Sequence, residues 1–345
     1  MKAKGLLVPR ERGEEVRRTL RNDRWLRTDL AIRREGKFLA LPLADQAAPP
    51  LELGEVVERE FTPLSGSGPT DYRELLDLPK EQLARLPRSF DVIGDVVLVR
   101  VPEDMAEKAT EIGLALLSFV PGARIVGADG GVHGPERRRS LRLLAGGGGW
   151  GTRYRENGID IEVDLEQAYF SPRLAREHAR VADAVARGDR VYDLCCGVGP
   201  FSLTIARDGR AARVAAVDSN PSALALLRSS LAHHSFRVPV ETIDLPVEEF
   251  TPSAEPVERV ILNLPLEGIK YLPSVARTVA PRGHLYYYEV VPRDEIQHRG
   301  EAVVRALGSS EEWAVAAQHV VHPYSPAADL IGYDLERREP RGGVP

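Results

Sequence analysis

The sequence predicts an α/β protein: a mostly parallel sheet domain in the C-terminal half, preceded by two smaller α+β domains. Three observations carry this. From about Ala168, short apolar strands alternate with helical stretches. The turn Gly197-Val198-Gly199 joins one such strand to a helix. Ahead of both, Thr62-Pro63-Leu64-Ser65-Gly66-Ser67-Gly68-Pro69 breaks the chain, since these residues neither continue a helix nor fill a central strand. A chain of 345 residues has room for two or three domains. The divisions read as 1–62, a linker at 63–69, a middle domain at 70–167 and the sheet domain at 168–345.

Before the linker, Gly13–Arg21 reads as a short charged helix, and Leu30–Arg34 with Phe38–Pro42 as a hairpin around Glu35-Gly36-Lys37. So small a piece is expected to have little core of its own. After the linker, Ser89–Arg100 is rich in β formers with a turn at Gly94, and Asp104–Ser118 has apolar positions near helical spacing. Arg124–Gly127 and Ile159–Val163 are further strands. The run Gly146–Gly149 reads as a mobile loop rather than a phosphate cradle, because no strand feeds directly into it and no helix follows. In the sheet domain the strands are Arg190–Leu194, Val214–Asp218, Val240–Ile243, Arg259–Asn263 and His284–Val291. Helices at Pro200–Arg207, Pro221–His233 and Ser274–Val279 lie between them. Such alternation calls for helices on both faces of the sheet.

Hydrophobic residues make up 43% and charged residues 28% of the chain, enough for a buried core. No apolar run approaches the roughly 18–20 residues that cross a bilayer, and no signal-peptide core opens the chain. The expectation is a soluble cytoplasmic protein with no membrane partner, and a monomer. The two cysteines form the doublet Cys195-Cys196, which suits neither a disulfide framework nor a four-ligand zinc site. They read as small packing residues. No cluster has metal-ligand spacing, so no metal is expected. The net charge of −5 is unevenly spread: residues 1–37 hold twelve Lys/Arg against six acids. Arg137, Arg138, Arg139, Arg142, Arg153 and Arg155 face a single Glu136 over positions 136–155. These are either solvated faces or local fields that recruit a polyanion.

The richest segment is Val191-Tyr192-Asp193-Leu194-Cys195-Cys196-Gly197-Val198-Gly199-Pro200-Phe201, a strand, an acid, a Gly-x-Gly turn and a helix start. Asp218 ends the next strand, where a carboxylate can accept from ribose hydroxyls, and Asp244 ends the one after. Ser202 stands where a dinucleotide fingerprint has its third glycine, and Pro200 removes a donor that a pyrophosphate would use. S-adenosyl-L-methionine has an adenosine but no phosphate, and its cationic end suits Asp193. It is favoured over a nicotinamide nucleotide, with a purely structural turn as the remaining alternative. Asn263-Leu264-Pro265 ends a further strand, where open α/β sheets gather their binding side chains. The Asn amide can hold the edge of a planar base while Pro265 fixes the turn; a plain strand-ending turn is the alternative.

Together with Ala168–Glu177 (AYFSPRLARE), these pieces resemble the archaeal and eukaryotic type of tRNA (guanine-37 N1)-methyltransferase. The likeness runs over nearly all of the chain. It rests on the Gly36–Pro42 hairpin, Ser89–Asp95, Arg155-Glu156-Asn157-Gly158, Tyr169–Leu174, Val198–Phe201, Asp218–Pro221, Asn263–Pro265 and Tyr286–Glu289. The resemblance implies a class I (Rossmann-like) methyltransferase domain, with tRNA as partner and S-adenosyl-L-methionine as cofactor. The N-terminal module would read tRNA shape, and the methyl group would go to N1 of guanosine 37.

Guanine N1 is a poor nucleophile until its proton leaves, and the resemblance makes Glu177 the base. An arginine would stabilise the charge pushed onto O6. Counting back from Tyr169 gives Arg137, with Arg138 and Arg139 adjacent. Tyr169 would lie beside cofactor and base, and Arg173 and Phe201 join Asp193, Gly197, Gly199, Asp218, Asp244 and Asn263 on the cofactor side. His178 departs from the arginine common after the base. The nearest rival is the wybutosine-pathway aminocarboxypropyltransferase, whose relatives usually end this strand in Asn-Leu-Gly rather than Asn-Leu-Pro. A tRNA-binding protein with an inactive cofactor domain is a further alternative.

Overall fold

In the computed structural model, the described residues are 2–22, 25–27, 30–44, 47, 49–62, 69–134, 138–308 and 310–339. Most of the expected linker, 63–68, lies outside them. The chain divides into two compact units, Met1–Asp77 and Leu78–Pro345.

The first unit is an antiparallel sheet in the order Arg33–Glu35, Phe38–Pro42, Lys2–Pro9, Glu55–Glu60, with one helix, Gly13–Asn22. The hairpin closes over Gly36-Lys37, and Gly36 at φ +57° supplies the left-handed residue that such a two-residue turn needs. Contrary to expectation, the unit has its own core. Val16 and Leu20, one helical turn apart, pack on Leu6, Val8, Leu41 and Leu43. Leu30, Ala40 and Phe61 form a second cluster.

The second unit opens with a four-stranded sheet (Asp91–Ile93, Val96–Val99, Ile125–His133, Arg138–Gly146) under the helix Ala109–Phe119. The hairpin of Gly151–Glu156 and Ile159–Asp164 follows. The glycine run is a turn wrapped around Arg124, whose guanidinium donates to the carbonyls of Gly147, Gly149 and Gly151 and pairs with Asp95.

The large sheet has seven strands: β1 (Arg190–Leu194), β2 (Arg213–Asp218), β3 (Val240–Asp244), β4 (Val257–Leu262), β5 (Val279–Pro292), β6 (Trp313–Pro323) and β7 (Ala328–Arg337). Their order is β3-β2-β1-β4-β5-β7-β6. The first five are parallel, and β7 and β6 are added antiparallel. β1 is buried along nearly its whole length, Asp193 included, as expected of a central parallel strand covered on both faces. Its helices are α1 (Ala175–Ala184), α2 (Pro200–Asp208), α3 (Pro221–Ala232) and α4 (Ile296–Leu307). Pro200 and Pro221 sit in the first turns of α2 and α3, where a missing N–H costs nothing. Asn220 caps α3 by accepting from the Ser222 and Ala223 amides.

The expected helix Ser274–Val279 is instead a single α turn, Leu272–Val275, followed by a 3₁₀ turn, and Val279 already opens β5. No seam in the core marks position 168. Ile93, Leu98 and Ile161 share one apolar cluster with Ala216, Leu224 and Leu227.

Candidate active site

The carboxyl ends of β1, β2 and β4 open onto a cavity of about 330 Å³, within the usual range for small-molecule sites. Gly197 sits in its wall at φ +57°, and a Cβ there would meet nothing closer than the Tyr169 carbonyl at 3.7 Å. Its need for glycine is conformational. Gly199, at φ +73° as the N-cap of α2, has a second reason: a Cβ would overlap the Leu227 side chain of α3. The Gly197 amide donates to Asp218 Oδ2 at 2.7 Å, and the Asn220 amide donates to Oδ1 at 2.8 Å. Asp218 is thereby fixed at the cavity wall.

Asp193 is fully buried beneath the turn. Its Oδ2 accepts from the backbone and hydroxyl of Ser202 at 3.1 and 2.7 Å, while Oδ1 has no partner among the described residues. Burial outweighs the Ser202 hydrogen bonds and pushes the carboxyl up to about 7. Asn263 lines the cavity, and its buried Oδ1 is likewise without a partner among the described residues. Pro265 lines it too, and its carbonyl accepts from the Val290 amide at 2.9 Å, which ties the turn to β5. Asp193 lies beneath the turn, off the cavity wall; on the wall itself, the orphaned Asn263 Oδ1, Asp218 and a turn without a phosphate-binding amide at Pro200 fit a ligand that is rich in donors. S-adenosylmethionine is such a ligand; a pyrophosphate is not. Burial pushes both neighbouring thiols, Cys195 and Cys196, upward, so neither is a nucleophile.

A second cavity of about 260 Å³ adjoins the first, and Tyr169, Ser171, His322 and Tyr324 line both. Arg100, Arg139 and Arg173 face the second. Arg137 lies outside the described residues. Its neighbour Arg139 is buried, paired with Asp129, donates to the Phe170 carbonyl at 2.9 Å, and lies 5.3 Å from the Tyr169 ring centroid.

Six expected residues do not line the first cavity: Asp193 and Gly199, described above, and four that stand elsewhere than the sequence suggested. Phe201 points into the core between His178 and Tyr288, because the second residue of α2 faces the sheet. Asp244 is exposed and off the cavity, whose wall passes instead along Leu245, Pro246 and Val247. Arg173 pairs with Asp91 in the second cavity rather than the first. Glu177 lines neither. It is buried on the sheet side of α1, where Arg180, Tyr288 and His319 all donate to it. Burial raises its carboxyl, but those three donors prevail and hold it at about 2. The sequence reading also missed His322 and Tyr324, whose only mark is a strand end followed by Pro323-Tyr324-Ser325-Pro326.

Family models match three stretches: the tRNA methyltransferase 5 N-terminal domain at 5–51, the TYW2 N-terminal domain at 72–149 and the TRM5/TYW2 methyltransferase domain at 152–315. The tRNA (guanine(37)-N(1))-methyltransferase Trm5b of Pyrococcus abyssi is 32% identical over 335 residues, covering 95% of this chain and 97% of its own. A tRNA(Phe) (4-demethylwyosine(37)-C(7)) aminocarboxypropyltransferase of Pyrococcus horikoshii is 26% identical and covers 64% of this chain and 78% of its own. Among solved structures, the complex of aTrm5 with tRNALeu superposes with a TM-score of 0.69 at 27% identity, covering 97% of this chain and 99% of that one. Methanocaldococcus jannaschii Trm5 in complex with adenosine gives 0.65 at 26% identity, covering 98% and 100%. Near-complete coverage by the first relative, with the fold and the turn geometry above, leads to one conclusion: the chain belongs to the family of tRNA (guanine37-N1)-methyltransferases.

Proposed function

We infer that the chain is an S-adenosylmethionine-dependent enzyme that methylates N1 of guanosine 37 in tRNA, next to the anticodon. The observation that carries this is the pair of adjoining cavities, one built of acceptors around a phosphate-free turn and the other lined by arginines. When bound, the cofactor supplies an electrophilic methyl on a cationic sulfur. Asp218 would accept from the ribose, Gly197 would permit close approach, and Asp193 would draw the ammonium from beneath the turn.

The extruded purine enters the second cavity, a step that a single-stranded loop allows at little cost. Tyr169 forms the wall between the two ligands. Asn263 and Pro265 line the first cavity, so Asn263 holds the base edge where the purine reaches past Tyr169 into it, and Pro265 fixes that turn. Arg139, rather than Arg137, is the described arginine beside Tyr169, and its guanidinium offsets charge on O6 as N1 loses its proton. Glu177 stays the proposed acceptor of the N1 proton, and its contacts with Tyr288 and His319 also join α1 to β5 and β6.

We keep 1–62, 70–167 and 168–345 as functional divisions; three separate family matches support their number, the third beginning at 152. A monomer in the cytoplasm also remains our proposal. Among the described residues, no helix is long and apolar enough to cross a membrane.

Asn263-Leu264-Pro265 supports methyl transfer over transfer of the aminocarboxypropyl group. The test uses S-adenosylmethionine labelled either in the methyl or in the carboxyl carbon. Only the methyl label should enter tRNA; incorporation of the carboxyl label would favour the rival.

A further inference from the structure

The second cavity carries more positive charge than its own walls neutralise. Among the described residues that line it are three arginines, Arg100, Arg139 and Arg173, and two acids, Asp91 and Asp129. Arg173 is paired with Asp91, and the buried Arg139 with Asp129. Arg100 is exposed and makes no ion pair or hydrogen bond among the described residues.

Local structure sets this division. In the four-stranded sheet, Asp91 stands opposite Leu98, and Leu98 opposite Gly127. Directly paired residues share a face, as do residues two apart along a strand. Asp91, Leu98, Arg100 and Asp129 therefore rise from one face, and all four line the cavity. Val96–Val99, the strand just before Arg100, is buried throughout, so the arginine projects from a fixed root. Arg139 has a buried Nε–H without a partner among the described residues, a donor placed for a base edge. A purine that enters this cavity brings its flanking phosphodiesters to the mouth. Each is an anion, which an unmatched guanidinium meets with two N–H donors.

We propose that Arg100 binds an RNA backbone phosphate next to guanosine 37, and that this contact holds the extruded nucleotide while Arg139 and Asn263 address its base. This rests on the reading of the reaction given above. Phosphate contacts position a nucleic acid without reading its sequence, so the loss on removing this one falls on binding and not on the choice of base.

The test measures binding of transcript tRNA by the full-length protein over a range of salt concentrations. Arg100→Gln should weaken binding about tenfold. It should also make the slope of log affinity against log salt shallower by about 0.7, the share of one single-strand phosphate. Arg100→Lys, which keeps the charge, should retain the parent slope; a merely structural role would move neither. The same contact is read from the RNA side with tRNA carrying a neutral methylphosphonate, on a 2′-deoxy linkage, at the phosphate 5′ or 3′ of guanosine 37. One of the two should cost the parent about tenfold and cost Arg100→Gln nothing further. The modified tRNAs probe the unaltered protein, so a folding defect in a variant does not decide the outcome. An unchanged slope in Arg100→Gln, or a parent indifferent to both methylphosphonates, would overturn the proposal. A parent that methylates no tRNA would instead refute the reaction on which it rests.

Discussion

Asp193 shows how one buried oxygen can set a measurable property of the site. Its carboxyl is pushed up to about 7 because burial disfavours the charged form, and Oδ1 is left without a donor. An ammonium placed there favours the carboxylate, so the bound state has the lower pKa and binding expels a proton while Asp193 is still protonated. Cofactor affinity should therefore rise between about pH 6 and 8 and then level off, with proton release below that plateau. Calorimetry in two buffers of different ionisation enthalpy reads this; proton uptake, or a flat affinity, would place the ammonium elsewhere. Residues whose role depends on chain position were legible: Tyr169, Gly197, Asp218 and Asn263 all reach the cavity because strand ends gather there. Residues whose role depends on the facing of a side chain were not. Phe201 and Glu177 each turn toward the sheet, and only packing decides that.

Among the elements, the turn between β1 and α2 divides the need for glycine into two physical kinds. At Gly197 an added methyl meets only the Tyr169 carbonyl at ordinary contact distance and costs the left-handed backbone, about 1–2 kcal/mol. At Gly199 the same methyl also overlaps Leu227, so Gly199→Ala should destabilise by about 2–4 kcal/mol, more than Gly197→Ala. Urea midpoints of the two variants check the order; equal losses would mean that α3 yields freely at Leu227. The central parallel strands were readable because burial on both faces leaves apolar runs such as Val260-Ile261-Leu262. The final elements, α4, β6 and β7, went unread. Edge strand β6 leaves Ala316, Ala317 and Val320 exposed and is interrupted by register shifts, so its residues carry no period-two alternation. That omission hid the strand bearing His319 and His322.

For the whole molecule, the order of motifs along the chain was enough to suggest the family, and the fold agrees with it. Legibility ended at distance. Position 168 separates two sequence patterns, yet Ile93 and Leu224 share a core across it, because apolar faces pair by shape and not by chain order. The adjoining cavities arise only where His322 and Tyr324, at the end of β6, meet Tyr169 and Ser171. The central claim is that these cavities bring a methyl donor to N1 of one purine. Nucleoside analysis of transcript tRNA incubated with the protein and S-adenosylmethionine tests it most directly. The account predicts 1-methylguanosine at position 37, absent when that guanosine is replaced; an unmodified guanosine 37, or methylation that persists after replacement, would contradict it.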